Sequence, residues 1–294
     1  MPSSRPRRSV LYVPGANPRA LEKALGLGAD AVILDLEDAV APTEKAAARE
    51  RIAALLAVPR RPDAPEVVVR LNPLAGGLGI ADLAVILPAQ PDGLLLPKIA
   101  TAADIGAFRR AAAETAPGVT VPIWAMIETA RAVADPLSIA LATDGDYPLT
   151  ALVLGLNDLA AETGARQVRG RAPMLPWMMG VLAAGRAGGL DVIDGVFNDL
   201  SDVAAFEAEC LQALDCGFDG KSLIHPRQIE AANRAFMPNE AALAEARRIA
   251  GLFDEPRHVG LGVLAVEGRI VERLHAEAAK RLIARFEVIA SRGG

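Results

Sequence analysis

The sequence predicts a (β/α)8 barrel of the TIM type with a C-terminal helical and hairpin lid extension, and three observations predict it. Eight short runs rich in Val, Ile and Leu alternate with longer stretches of helical periodicity. The runs are apolar throughout, as strands covered on both faces by crossover helices are. Polar and charged residues collect just after the runs, at the strand ends where a barrel carries its chemistry. An open doubly wound sheet is the alternative, but eight units in one chain fit a closed barrel better.

The strands are expected at Ser9–Val13, Ala31–Leu36, Glu66–Leu71, Gly93–Leu96, Pro122–Met126, Leu149–Leu154, Leu190–Ile193 and Gly217–Ser222. Helices are expected at Pro18–Leu27, Thr43–Leu56, Ile80–Leu87, Ala102–Thr115, Ala130–Ala142, Leu175–Ala187 and Val203–Leu214. Asn17 before Pro18 makes a helix start, a capping side chain followed by a proline whose missing N–H is not needed there. Thr43 is placed to cap the second helix, and Gly26, Gly28 and Gly188-Gly189 stand where helices should stop. After the eighth strand the pattern changes. Pro226–Phe236 and Glu240–Phe253 read as helices, Gly260–Glu272 as a hairpin and Ala276–Ile289 as a last helix, with Pro256, Gly260, Gly262 and Gly268 as hinges. Residues 1–236 are thus read as the barrel, and 237–294 as a lid or oligomerisation extension too short for an independent core.

The 294 residues are 52% hydrophobic and carry a net charge of −5 with an isoelectric point near 5.4. There is no basic block to track a nucleic-acid backbone, so a polyphosphate ligand would need local basic residues. The basic start, Met1 to Arg8, runs straight into a strand, and no apolar run approaches the roughly 20 residues that span a bilayer. A cytoplasmic protein without membrane contact is expected. Cys210 and Cys216 fit incidental thiols of a reducing compartment.

The strand ends carry Pro14-Gly15, Asp35-Leu36-Glu37-Asp38, Arg70-Leu71-Asn72, Pro97-Lys98, Glu128-Thr129, Asn157-Asp158, Asp194, and Lys221 with His225 beyond it. Carboxylates with few histidines nearby suit Mg²⁺, or Mn²⁺, rather than zinc. Glu128 and Asp158, from adjacent strands, would reach one ion and leave positions open for water and substrate. Asp35, Glu37 and Asp38 would then orient bound water, or serve as helix caps and ion-pair partners. Arg70 has the planar fork that grips a carboxylate, or it pairs with Asp35 or Glu37. Lys98 and Lys221 raise Schiff-base chemistry as a rival, although nothing in the sequence activates either, and Lys221 lies beside Asp219. His225 reads as a cap before it reads as a base. No P-loop or dinucleotide fingerprint is present.

These blocks, in this order, resemble one known family. They are Leu11-Tyr12-Val13-Pro14-Gly15-Ala16-Asn17-Pro18-Arg19 with Lys23, Gly28 to Val40, Arg70-Leu71-Asn72, Pro97-Lys98, Ile127-Glu128-Thr129, Gly155-Leu156-Asn157-Asp158-Leu159, Ile193-Asp194-Gly195-Val196, and Gly217 to Lys221 with Ile224 to Ile229. Together they cover nearly the whole chain, and they resemble the HpcH/HpaI aldolase and citrate lyase β-subunit superfamily in its CitE-like branch, with malyl-CoA and citramalyl-CoA lyases. The resemblance implies Mg²⁺ on Glu128 and Asp158, Arg70 on the carboxylate of an oxo-acid, and a substrate such as malyl-, citramalyl- or citryl-CoA. It implies Arg19 and Lys23 on CoA phosphates, Lys98 among the substrate-binding residues, and a homotrimer or hexamer. The expected reaction is carbon–carbon cleavage, or its Claisen reverse, through a thioester enolate, with Glu37 and Asp38 supporting the chemistry.

Two departures from the family stand out. Ala172 to Met179 is apolar, with Pro173 and Pro176, where many relatives carry arginines. In the tail, Glu267-Gly268-Arg269-Ile270-Val271-Glu272 has glutamate where the malyl-CoA lyase lid has aspartate. Glu272 is therefore the expected acid–base group, delivered by the lid of a neighbouring subunit. Three other readings stay open: a citrate lyase β-subunit working with acyl-carrier and transferase subunits, a metal-dependent aldolase on free 2-oxo acids, and a non-catalytic CoA-binding or assembly protein.

Overall fold

The computed structural model describes residues 5–143, 145–255, 258, 260–266 and 268–291. Pro256 and Glu267, both used in the reading of the tail, lie outside them. The described chain forms two compact units, one of residues 7–236 and one of residues from 237 onward together with residues 5–6.

In the first unit, eight strands close into a parallel barrel in sequential order, with β1 pairing β8. They are β1 (Ser9–Pro14), β2 (Ala31–Asp35), β3 (Glu66–Arg70), β4 (Gly93–Leu96), β5 (Ile123–Ile127), β6 (Leu149–Leu154), β7 (Asp191–Asp194) and β8 (Gly220–Leu223). Around them run α1 (Pro18–Ala24), α2 (Lys45–Leu56), α3 (Leu78–Ile86), α4 (Ala102–Thr115), α5 (Ala130–Ala134), α6 (Pro136–Ala140), α7 (Leu156–Thr163), α8 (Leu175–Ala187), α9 (Val203–Cys216) and α10 (Ile229–Ala235).

Side-chain alternation splits each strand between two cores. Val10, Ala31, Ile33, Val68, Leu95, Trp124, Met126, Ala151, Val153 and Ile193 fill the barrel. The intervening residues, such as Val32, Leu34, Val69, Leu152 and Val192, pack under the helices. At the N-terminal ends of the strands a buried ion cluster seals the barrel. Arg7 donates to both oxygens of Glu66 at 2.8 and 2.7 Å and to Asp191 at 2.7 Å, and its guanidinium lies 4.5 Å over the Trp124 ring. Burial pushes the Asp191 carboxyl up to about 6 against the pull of Arg7.

Four local features depart from or refine that reading. The helix expected over 130–142 is two, because Asp135, before Pro136, leaves the helical region at φ −144° and ψ 62° and caps α6 through Ser138 N–H. Thr43 sits within a short 3-10 turn, Pro42–Glu44, and neither that turn nor α2 has a side-chain cap. A helix not anticipated, α7, begins directly at the end of β6. Pro176 does not interrupt the apolar stretch but lies in the first turn of α8, where its missing N–H has no partner to lose.

The second unit holds α11 (Glu240–Leu252), the antiparallel hairpin β9 (Val263–Val266) and β10 (Arg269–Glu272), and α12 (Arg273–Ala290). Phe253, Leu264, Val271 and Ala276 form its small core. No helix among the described residues is long and apolar enough to cross a membrane.

Candidate active site

The register of β2 and β3 sets Asp35 directly beside Arg70, both on the inward-facing parity. Arg70 Nε and Nη2 donate to the two oxygens of Asp35, each at 2.7 Å. Asp35 also accepts the N–H groups of Glu37 at 2.9 Å and Ala39 at 3.1 Å, so all four acceptor positions of its carboxylate are filled. Asp35 therefore fixes the arginine and the following loop rather than orienting water. Only Nη1 of Arg70 faces the mouth, 2.7 Å from Glu37 Oε2 and 3.8 Å from the exposed Asp38. The fork expected to grip a substrate carboxylate is occupied by Asp35. Burial pushes Glu37 up to about 8 against the pull of Arg70.

The loop bearing Glu37 is pinned from behind by Lys45, which sequence reading missed because it resembles any first-turn helical lysine. Its buried ammonium donates to Leu36 O at 2.8 Å, Glu37 O at 2.9 Å and Asn72 Oδ1 at 2.7 Å. Asn72 in turn donates to Asp82 Oδ2 at 2.7 Å, and Arg49 donates to the other oxygen of Asp82. Asn72 is thus a brace between loops.

Glu128 follows β5 on the inward parity and is almost fully buried, while Asp158 sits in the first turn of α7 rather than at a strand end. Lys98 lies between them. Its N–H donates to Glu128 Oε1 at 2.7 Å, its ammonium stands 3.7 Å from the same oxygen, and the ammonium also pairs with Asp158. Lys98 achieves this with a left-handed backbone, φ +53°, a costly conformation for a non-glycine residue and one that concentrates at functional sites. Glu128 Oε2 is buried with no hydrogen-bond partner among the described residues. Burial pushes this carboxyl up to about 7 in spite of Lys98. Against burial, the bond to Asp158 holds the Lys98 ammonium above its ordinary value.

An orphaned buried carboxylate oxygen, a second carboxylate and a lysine ammonium between them fit a cation site. Hard oxygen donors fit Mg²⁺, and two protein ligands leave the positions that Mg²⁺ fills with water and substrate. No cluster of three or more metal-ligating side chains occurs among the described residues.

Asp194 and Lys221, expected at the mouth, lie outside the barrel wall. They are register neighbours on β7 and β8 but point outward, into the helical layer. Lys221 is fully buried, donating to Asp194 at 2.7 Å, Gly195 O at 2.8 Å and Glu209 at 3.2 Å, and Arg171 closes the cluster on Asp194 at 2.6 Å. Asp219, its sequence neighbour, pairs instead with Arg186. A lysine so enclosed has no route to a carbonyl substrate, which leaves Lys98, paired with Asp158, as the one lysine of the two at the mouth. His225 accepts the N–H of Arg227 through Nδ1 and caps a short turn. Arg19 and Lys23 are exposed one turn apart on α1. A cleft of about 540 Å³, lined by Gln167, Arg171, Asn198 and Glu209 among others, includes neither Glu128 nor Arg70. In the second unit, Glu272 is exposed at the start of α12, its N–H donating to His275 Nδ1 at 2.9 Å.

Comparison with known proteins gives one answer. The (3S)-malyl-CoA thioesterase of Cereibacter sphaeroides is 43% identical over 289 residues, 98% of this chain and 97% of that protein. The L-malyl-CoA/β-methylmalyl-CoA lyase of the same species is 33% identical, covering 99% of this chain and 98% of that one. The crystal structure of CitE from Mycobacterium tuberculosis in complex with magnesium, acetoacetate and coenzyme A superposes with a TM-score of 0.77 at 30% identity, over 97% of this chain and 100% of that one. The model of the HpcH/HpaI aldolase/citrate lyase family matches residues 8–226. The chain belongs to that family.

Proposed function

We propose that this chain is a Mg²⁺-dependent carbon–carbon lyase that cleaves, or forms, a 3-hydroxy-acid CoA thioester of the malyl-CoA class. The observation that carries the reading is the pair of carboxylates, Glu128 and Asp158, bridged by the Lys98 ammonium, with Glu128 in electrostatic reach of Arg70. Glu128 and Asp158 would hold a divalent ion, which would supply a Lewis acid for the oxygen that becomes the carbonyl of the oxo-acid. Arg70 Nη1 meets the carboxylate end of the substrate. Glu37, against Nη1 and raised by burial, and Asp38 at the rim order water and protons at the mouth. Arg19 and Lys23 supply exposed charge for the CoA phosphates, and Lys98 yields its place between the carboxylates as cation and substrate enter. Glu272 exchanges the proton of the thioester enolate, carried by the C-terminal unit of a neighbouring subunit, which serves as lid and assembly surface in a trimer or hexamer. A CoA-thioester substrate, a metabolite of the cell interior, supports a cytoplasmic location.

The malyl-CoA thioesterases at 43% identity favour a second reading, hydrolysis of the same thioester. Incubation with Mg²⁺ and (3S)-malyl-CoA separates the two. A lyase yields glyoxylate and acetyl-CoA; a thioesterase yields malate and free CoA. Citramalyl- and citryl-CoA extend the panel. Turnover of none of the three counts against both readings. Turnover only of an acyl group on a carrier protein would identify a citrate lyase β-subunit, and turnover of free 2-oxo-acid aldols an aldolase.

A further inference from the structure

Tyr12 projects from β1 into the mouth, half-buried against the barrel core, with the Arg70 guanidinium 5.1 Å from its ring centroid. Asp35, Glu37 and Glu128 are close enough to act on it electrostatically, yet among the described residues its hydroxyl donates only to Met126 Sδ, at 3.8 Å. Thioether sulfur is a weak acceptor. Asp35 is engaged by Arg70 and two backbone N–H groups, Glu128 Oε1 by Lys98, and Glu37 Oε2 stands 2.7 Å from Arg70 Nη1, while Glu128 Oε2 has no hydrogen-bond partner among the described residues. Burial holds the phenol above its ordinary pKa, so it keeps its proton and remains a neutral donor. Arg70 Nη1 lies 3.8 Å from the same sulfur, which brings the two donors to one spot.

Arg70 presents only Nη1 to the mouth, because Nε and Nη2 are bound to Asp35. A carboxylate meeting Nη1 end-on would leave its second oxygen without a donor. We propose that Tyr12 Oη and Arg70 Nη1 together hold the carboxylate of the oxo-acid half of the substrate, one donor to each oxygen. The inference rests on the lyase reading above. It makes Tyr12 a substrate-binding residue selective for the carboxylate end, with no contact to the thioester.

The test is calorimetric titration of the Mg²⁺-loaded parent and Tyr12→Phe with oxalate, which carries the same carboxylate end. The variant keeps the ring under Arg70 and loses only the hydroxyl. A lost hydrogen bond to a charged group corresponds to about a 10–100-fold weaker binding of oxalate. Mg²⁺ affinity should be unchanged, and the unfolding temperature equal or higher, since the hydroxyl has only a poor partner in the free protein. In the condensation direction KM for the oxo-acid should rise while KM for the acyl-CoA does not. Equal oxalate affinity in parent and variant overturns the proposal, and so does a matched loss of oxalate and Mg²⁺ binding, which marks a structural role. A parent that binds Mg²⁺ but not oxalate overturns the oxo-acid reading itself, and Tyr12 with it.

Discussion

Gly155 ends β6 and begins α7 at φ −103°, a backbone open to any residue, so the cost of adding a methyl group there is steric alone. The Cβ of Gly155→Ala would stand 2.4 Å from Glu128 Cβ, 2.7 Å from Glu128 Oε2 and 3.0 Å from Met126 Cε. Carbon pairs settle at about 3.5–4.0 Å, so Glu128 has to move by about 1 Å. Metal–oxygen distances tolerate a departure of only about 0.2 Å. Mg²⁺ affinity should therefore fall at least about 10²-fold, roughly 2.7 kcal/mol. Overpacking should also lower stability by about 1–3 kcal/mol. Electron paramagnetic resonance titration with Mn²⁺, competed by Mg²⁺, reads the first quantity, and urea unfolding in EDTA reads the second. Gly180→Ala is the control. On α8, with nothing within 4 Å of its added Cβ, it should gain up to about 1 kcal/mol and leave the metal alone. A Gly155→Ala protein with parental Mn²⁺ and Mg²⁺ affinity would refute Glu128 as a ligand held by this close contact.

Three further outcomes are expected. Lys98→Met leaves Glu128 and Asp158 facing each other without a cation, so in EDTA it should lose about 1–2 kcal/mol; the gap should narrow as Mg²⁺ saturates the site, and a gap indifferent to Mg²⁺ would remove Lys98 from the cation position. Asp191, raised by burial to about 6, contributes stability that is complete below its unfolded value near 3.8 and lost as pH rises through about 6. Asp191→Asn, which mimics the neutral form, should therefore gain on the parent by up to about 3 kcal/mol between pH 4 and pH 7, and a constant difference across that window in urea titrations contradicts the burial argument. Glu272→Ala should keep Mg²⁺ binding and cut turnover about 10²–10⁴-fold; exchange of acetyl-CoA α-protons with D₂O at the parental rate, followed by NMR, rules the residue out as the acid–base group.

The barrel was legible because each strand is a continuous apolar run closed by helix-start or turn chemistry, and its edges moved by three residues at most, at the start of β8. The facing of the strand-end residues was not. When both faces of a strand are apolar, alternation leaves no mark in the sequence, so Arg70, which points into the barrel, and Lys221, which points out, looked alike. Pairings such as Asp35 with Arg70 and Asp194 with Lys221 depend on register, which emerges only when the sheet closes. Asp158 reads as a strand-end residue because an eight-residue helix starting without a loop is too short to show a period. Lys45 gave no signal at all; its role comes from carbonyls supplied by another segment.

The packed interior of the barrel, closed beneath by Arg7, Glu66 and Asp191 under Trp124, leaves the strand C-terminal ends as the approach to Arg70 and Glu128, 6% and 1% exposed, in effect a blind well. Traffic through a blind well is a queue. For a lyase working here, the small oxo-acid fragment, bound at the floor, has to enter first in condensation and leave last in cleavage, because the thioester sits above it. That order has a kinetic signature: in the cleavage direction the oxo-acid product should inhibit competitively against the hydroxyacyl thioester, and the acyl thioester product should not.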